Sequence, residues 1–227
     1  LNCERFKKTA KNVFFLTIQY LAIIMNVKEN IKTLIVNKPL KLDCGQTINE
    51  FPLAYETYGS LNKDKNNAIL VFHALTGDQF VTGKNPITNK DGWWSYAVGP
   101  NKSIDTNKYF VICANVIGGC MGSFGPSHKN PKTNKSYGID FPVITINDIV
   151  NAQVNLLDHF GIRKLFSVVG GSMGGMQVLQ FVSNFPNKTK TAVPIACTAS
   201  HSAQNIALNE LGRQAITADH NWSKGEY

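Results

Sequence analysis

The run Gly170-Gly171-Ser172-Met173-Gly174 matches G-x-S-x-G, a spacing that sets a serine on a tight strand-to-helix turn with its hydroxyl pushed out at the end of a sheet. The chemistry this suits is nucleophilic attack on an acyl carbon. The flanks agree. The apolar, β-branched run Leu165-Phe166-Ser167-Val168-Val169 leads in as a strand, and Met173 to Phe185 leads out as a helix. Gly170, Gly174 and Gly175 supply the small neighbours such a turn needs. The helix N-terminus behind Ser172 turns its amides toward any developing oxyanion. The competing reading is an ordinary strand-to-helix turn with Ser172 as the helix N-cap.

Acyl transfer also needs an oxyanion hole, a base and an acid. In α/β-hydrolases one oxyanion amide comes from the loop after an early strand, and the other from the residue after the nucleophile. His73-Ala74-Leu75-Thr76-Gly77 directly follows the apolar run Ala68–Phe72, so the backbone N–H groups of Leu75 and Met173 are the candidates. Each such donor is worth about 3–4 kcal/mol to a tetrahedral intermediate. His73 invites a general-base reading, but a histidine at a strand end is better read as holding its loop by hydrogen bonds. The fold orders its triad Ser, Asp/Glu, His along the chain. After Ser172 come His201 and His220, with Glu210, Asp219 and Glu226 as the acids. Neither histidine follows a further strand, and Asp219 and His220 are adjacent, which suits no distant serine. The histidine and aspartate of a triad are therefore read as absent from this chain.

Other signals weigh less. Gly118-Gly119-Cys120-Met121-Gly122 is glycine-rich but lacks the G-K-S/T of a phosphate loop. Cys120 has nothing nearby to activate it. Trp93-Trp94 suits either a pocket wall or a seal between a loop and the core. Arg213 lies in an otherwise apolar helical stretch, Ala203 to Ala218, and must either reach the surface or meet an anion.

The elements that must hold these residues read as α/β. Ile31 to Val36 and Phe51 to Tyr58 are early strands, joined as a hairpin through Asp43-Cys44-Gly45. Ala68 to Phe72, Phe110 to Asn115 and Leu165 to Val169 are apolar runs of the kind found in strands buried on both faces, and Ala192 to Ile195 is a fourth. An amphipathic helix is expected over Ile146 to Phe160, with Thr145-x-x-Asp148 as its capping box, Ile149, Val150, Val154, Leu157 and Phe160 on one face, and Gly161 as its stop. Strands alternating with helices argue for a mostly parallel, doubly wound sheet. Two long polar loops, Asp78 to Asn107 and Gly118 to Pro142, interrupt the scheme, and loops of that length are more often functional than accidental.

The 227 residues are 43% hydrophobic, enough for one core. The net charge of +8 comes mostly from scattered lysines with no nucleic-acid motif, so a solvated basic surface is expected, with no nucleic-acid and no membrane partner. Five cysteines without a C-x-x-C pair argue against a disulfide framework or a zinc site and for a cytoplasmic location. Sequons at Asn101, Asn134, Asn187 and Asn221 carry no weight outside a secretory route. Lys7, Lys8 and Lys11 precede a broken apolar patch, Val13 to Met25, that has no cleavage site and is too short for a membrane span. Residues 1–24 are read as an N-terminal extension, translated upstream of a start at Met25, and residues 25–227 as a partial catalytic domain.

Taken together, the motifs resemble homoserine O-acetyltransferases in order and wording. The match is carried by His73-Ala74-Leu75-Thr76-Gly77-Asp78, Gly92-Trp93-Trp94, Gly99-Pro100, Gly118-Gly119-Cys120-x-Gly122-Ser123-x-Gly125-Pro126 and Asp140-Phe141-Pro142. It continues through Gly170 to Gln177, Ser202-Ala203-Gln204-Asn205 and Asn209-Glu210-x-x-Arg213-Gln214-Ala215, from about Leu42 to the last residue. The resemblance implies an α/β-hydrolase core with a helical lid, usually a homodimer, that moves an acetyl group from acetyl-CoA to the hydroxyl of L-homoserine, with acetyl-CoA a co-substrate and no bound cofactor or metal. It makes Ser172 the acylated nucleophile, Leu75 and Met173 the oxyanion donors, and Arg213 a clamp for the amino-acid carboxylate. Related enzymes use succinyl-CoA or accept serine, and esterases share the fold. The chain stops before the family's lid, last core elements and catalytic aspartate and histidine. By itself it is expected to be inactive, with an unpaired sheet edge and uncovered apolar surface.

Overall fold

The computed structural model describes residues 31–225, so the readings of residues 1–24, of Met25 and of Glu226 lie outside the described residues. The chain enters through Thr33–Val36 (β1), Leu40–Lys41 (β2), Thr47–Ile48 (β3) and Phe51–Tyr58 (β4). β1 pairs antiparallel with β4, Val36 facing Phe51. The connection between them folds into a second, smaller ribbon, β2 against β3, closed by Gly45 N–H donating to the Leu42 carbonyl at 2.9 Å. The expected hairpin is present, with another inside its loop.

Ala68–Phe72 (β5), the ribbon Val98–Gly99 (β6) and Ile104–Asp105 (β7), and Phe110–Ala114 (β8) follow. Next come the helices Ile146–Gln153 (α1) and Asn155–Phe160 (α2), then Leu165–Gly171 (β9), Met173–Asn184 (α3), Thr189–Ile195 (β10) and Ala203–Thr217 (α4). The main sheet runs β1-β4-β8-β5-β9-β10, and from β8 to β10 its neighbours are parallel. This is the mostly parallel sheet of an α/β-hydrolase.

Continuous apolar runs became central strands because both faces of the sheet are covered. Every residue of β5 and β8 is buried. On one face Leu70, Phe72 and Ile112 pack with Ile149, Leu157, Val178 and Phe181 of α1 to α3. On the other, Ile69, Val71 and Val111 meet Val81, Val98, Trp93 and Trp94, so the long loop 78–107 does there what a helix would do. Trp93 stacks on Trp94 and its indole N–H donates to the Asp78 carbonyl at 2.9 Å; the tryptophans seal the loop onto the core.

The expected helix over Ile146 to Phe160 carries its full capping box at Thr145 and Asp148 and stops at Gly161 in the left-handed conformation, φ 66°. It is broken once, at Val154. The Asn155 side-chain amide donates to the carbonyls of Asn151 and Ala152 (3.2 and 3.0 Å), competing for groups that a continuous helix would use itself.

The far edge is bare. Among the described residues β10 pairs only with β9, and past Thr189 all its residues are exposed, including Val193 and Ile195. None of the α4 residues is buried, and Ile206, Leu208, Leu211 and Ile216 stand in solvent.

Candidate active site

Ser172 sits between the last residue of β9 and the first of α3, with φ 57° and ψ −122°. That backbone conformation is sparsely populated for any residue with a side chain and persists only where the surroundings enforce it. They do so here. The Ser172 N–H donates to the Ile195 carbonyl of β10 (3.0 Å), and its carbonyl accepts the first helical bond from Met176 N–H (3.1 Å). A Cβ on Gly174 would lie 2.1 Å from the Phe72 carbonyl oxygen, so only glycine lets α3 close onto the end of β5. The Ser172 hydroxyl makes no capping bond to the helix it precedes. This removes the N-cap reading and leaves the hydroxyl presented to solvent.

What it faces is a cavity of about 570 Å³, whose walls include Leu75, Met173, Met176, His201 and Asn209 as well as Ser172. The sheet topology brings this about: β5 and β9 are parallel neighbours, so the loop leaving β5 and the turn leaving β9 open at the same sheet end. Leu75 is 74% exposed on that loop, which a Gly77 N–H to Ala74 carbonyl bond (2.9 Å) holds in a turn. Both residues expected to carry oxyanion amides therefore border the cavity that Ser172 borders.

His73 is not a base in this arrangement. Its side chain is buried, 1% exposed. Nδ1 lies 2.7 Å from the Ala74 carbonyl and must donate; Nε2 accepts from Val116 N–H at 3.1 Å. Both nitrogens are committed and the ring is neutral. Burial, opposed only partly by the bond to Ala74, holds its pKa below the usual histidine value. The loop-holding role expected from the sequence is the one observed.

Other candidates fall in different places. Arg213 is on α4, exposed and paired with Glu210 one turn earlier; it does not border the Ser172 cavity, whereas Asn209 of the same helix does. The Glu210 carboxyl is held below its usual pKa by the bond from Arg213, then by that from Gln214. His220 lies 3.6 Å from Asp219, both exposed, and neither borders the cavity. His201 borders it with no hydrogen bond to Ser172. Cys120 is exposed and unpaired by any disulfide. Beyond Met173, sequence reasoning passed over the α3 wall of the cavity, Met176, Gln180 and Ser183. Their steps of three and four residues from Met173 were the available signal, since that spacing puts them on one helical face. Among the described residues no group of acidic, histidine or cysteine side chains could hold a metal ion, and no helix is long and apolar enough to cross a membrane.

A family model for the alpha/beta hydrolase fold matches residues 67–226. A curated relative from Pelagibacter ubique (strain HTCC1062), named homoserine O-acetyltransferase, is 75% identical over 203 residues, 89% of this chain and 55% of its own length. Among solved structures, homoserine O-acetyltransferase from Bacillus anthracis superposes with a TM-score of 0.78 at 32% identity, covering 87% of this chain and 54% of that one. Esterase E22 does so with the same TM-score at 33% identity, covering 87% and 55%. The chain spans about half the length of the curated relatives it matches.

Proposed function

We propose that this chain, which belongs to the alpha/beta hydrolase fold family, is part of a homoserine O-acetyltransferase, and that its Ser172 carries an acetyl group from acetyl-CoA to the hydroxyl of L-homoserine. The observation that carries this reading is the Ser172 elbow: a strained, uncapped serine beside two amide-bearing segments on one cavity. In the first step the Ser172 Oγ attacks the thioester carbonyl and a base takes its proton. The carbonyl oxygen becomes an oxyanion between the Leu75 and Met173 amides. The C–S bond breaks, the proton passes to the departing thiolate, and an acetyl-serine remains. In the second step the homoserine hydroxyl gives its proton to the same base and attacks the acetyl-serine, and Ser172 is regenerated.

The base and its acid partner are assigned to sequence other than these 227 residues, because His73 is committed to its loop, His128, His159 and His220 do not border the cavity, and His201, which does, makes no bond to Ser172. The Arg213 guanidinium is assigned to the carboxylate of the amino-acid substrate, in exchange for its present bond to Glu210. We place the protein in the cytoplasm, in keeping with its free cysteines, and as a homodimer in full-length form, as the family resemblance implies.

The likeness to esterase E22 supports a second reading, in which water is the acceptor. Partition of the acetyl group separates the two. In the full-length protein supplied with acetyl-CoA, L-homoserine should receive acetyl in preference to water, and replacing Ser172 with alanine should abolish both products. Acetate as the sole product would favour the esterase.

A further inference from the structure

β5 ends at Phe72, and the chain leaves the sheet at His73 on its way to Leu75. A carbonyl just past a strand end has lost its ladder partner and, when buried, must find another. The His73 carbonyl finds the side-chain amide of Gln177, whose Nε2 donates to it at 3.2 Å from across α3. The same Nε2 lies 3.4 Å from the Met173 carbonyl, one turn back along the helix. One amide group therefore touches both segments that bear the oxyanion donors. Its orientation is fixed, because both carbonyls can only accept and because its Oε1 accepts from Gln153 Nε2 at 3.0 Å.

Gln177 is fully buried and Gln153 is 1% exposed. The Gln153 Oε1 has no partner among the described residues. A buried acceptor left unpaired is destabilising, and apolar side chains of similar volume at both positions would avoid it. Packing alone does not account for such a pair. The His73 ring already ties the loop to the exit of β8 through Val116, on its other side. What remains to be fixed is the distance between the loop and the nucleophile helix.

We propose that Gln177 is a positioning residue that sets the separation of the Leu75 and Met173 amides by clamping the His73 carbonyl to α3; this role rests on Ser172 being the nucleophile.

The test uses the chain as it stands with methylboronic acid, an acetyl-sized probe that needs no catalytic base. The Ser172 oxygen bonds to boron, its proton passes to solvent, and boron becomes tetrahedral and anionic with one hydroxyl in the oxyanion hole. Boron NMR gives the affinity, and Ser172→Ala identifies the adduct. Gln177→Met, similar in size but without the donor, should bind the probe about tenfold more weakly, a fraction of the effect of deleting an oxyanion donor. Gln177→Glu should show the same deficit at alkaline pH, where its carboxylate cannot donate. At acid pH, where a protonated carboxyl donates again, its affinity should return toward that of the unmodified chain at the same pH. A merely structural role would not make that ratio pH-dependent, and circular dichroism checks that each variant is folded. Equal affinities in all three proteins would overturn the positioning role alone. An unmodified chain that forms no Ser172-dependent adduct would overturn the nucleophile reading, and the positioning role with it.

Discussion

Ser172 holds a backbone conformation that costs on the order of 1–3 kcal/mol for a residue with a side chain. Glycine adopts it freely, so Ser172→Gly should raise unfolding stability by about 1 kcal/mol in denaturant melts, after its larger unfolded-state entropy is allowed for. In the full-length protein it should also abolish acetyl transfer. Two residues on, the opposite applies: Gly174→Ala puts a Cβ against the Phe72 carbonyl and should destabilise by about 2–3 kcal/mol or prevent folding. His73 gives a pH signature. Its folded-state pKa is lowered by burial, so the unfolded chain takes up a proton that the folded chain refuses. Stability is therefore unaffected by this group above about pH 6.5 and falls as the pH drops below it. Melts from pH 8 to pH 5 should show that loss, and His73→Gln should be less stable throughout but less sensitive to acid.

The elements around the site were largely legible because their signals are local. The five-residue apolar run before His73 and the glycine spacing around Ser172 read directly as strand and elbow, and the Thr145 capping box was visible from four residues. Thr145→Ala should cost about 1 kcal/mol, measurable by urea unfolding, because it removes the acceptor for the Asp148 amide at the start of α1. The break at Val154 was not legible, since it depends on which carbonyls the Asn155 side chain reaches once the helix is formed. Arg213 marks a similar limit. Its position among the leucines and isoleucines of α4 raised the choice between surface and anion, but the sequence did not show that Asn209, one turn earlier, would be the α4 residue bordering the cavity.

At the scale of the molecule, the parallel core was legible from its apolar runs, but not what closes its second face. That the loop 78–107 would cover the sheet depends on contacts such as Trp93 to Asp78 that no periodicity encodes. The Gln153–Gln177 chain was likewise silent, because buried amides leave no pattern in a sequence. The bare β10 edge and the apolar side chains of α4 predict concentration-dependent self-association of this chain. Leu208→Lys with Leu211→Lys should reduce it in sedimentation velocity without lowering the melting temperature, as neither leucine is buried.

The central claim is that Ser172 accepts the acetyl group, and its most direct test is peptide mass spectrometry after incubation with acetyl-CoA, with free imidazole added as a stand-in for the base. Acetyl is expected on the peptide bearing Ser172, increasing with imidazole, removed by L-homoserine and missing from Ser172→Ala. Acetylation confined to lysines, and unchanged in Ser172→Ala, would contradict it.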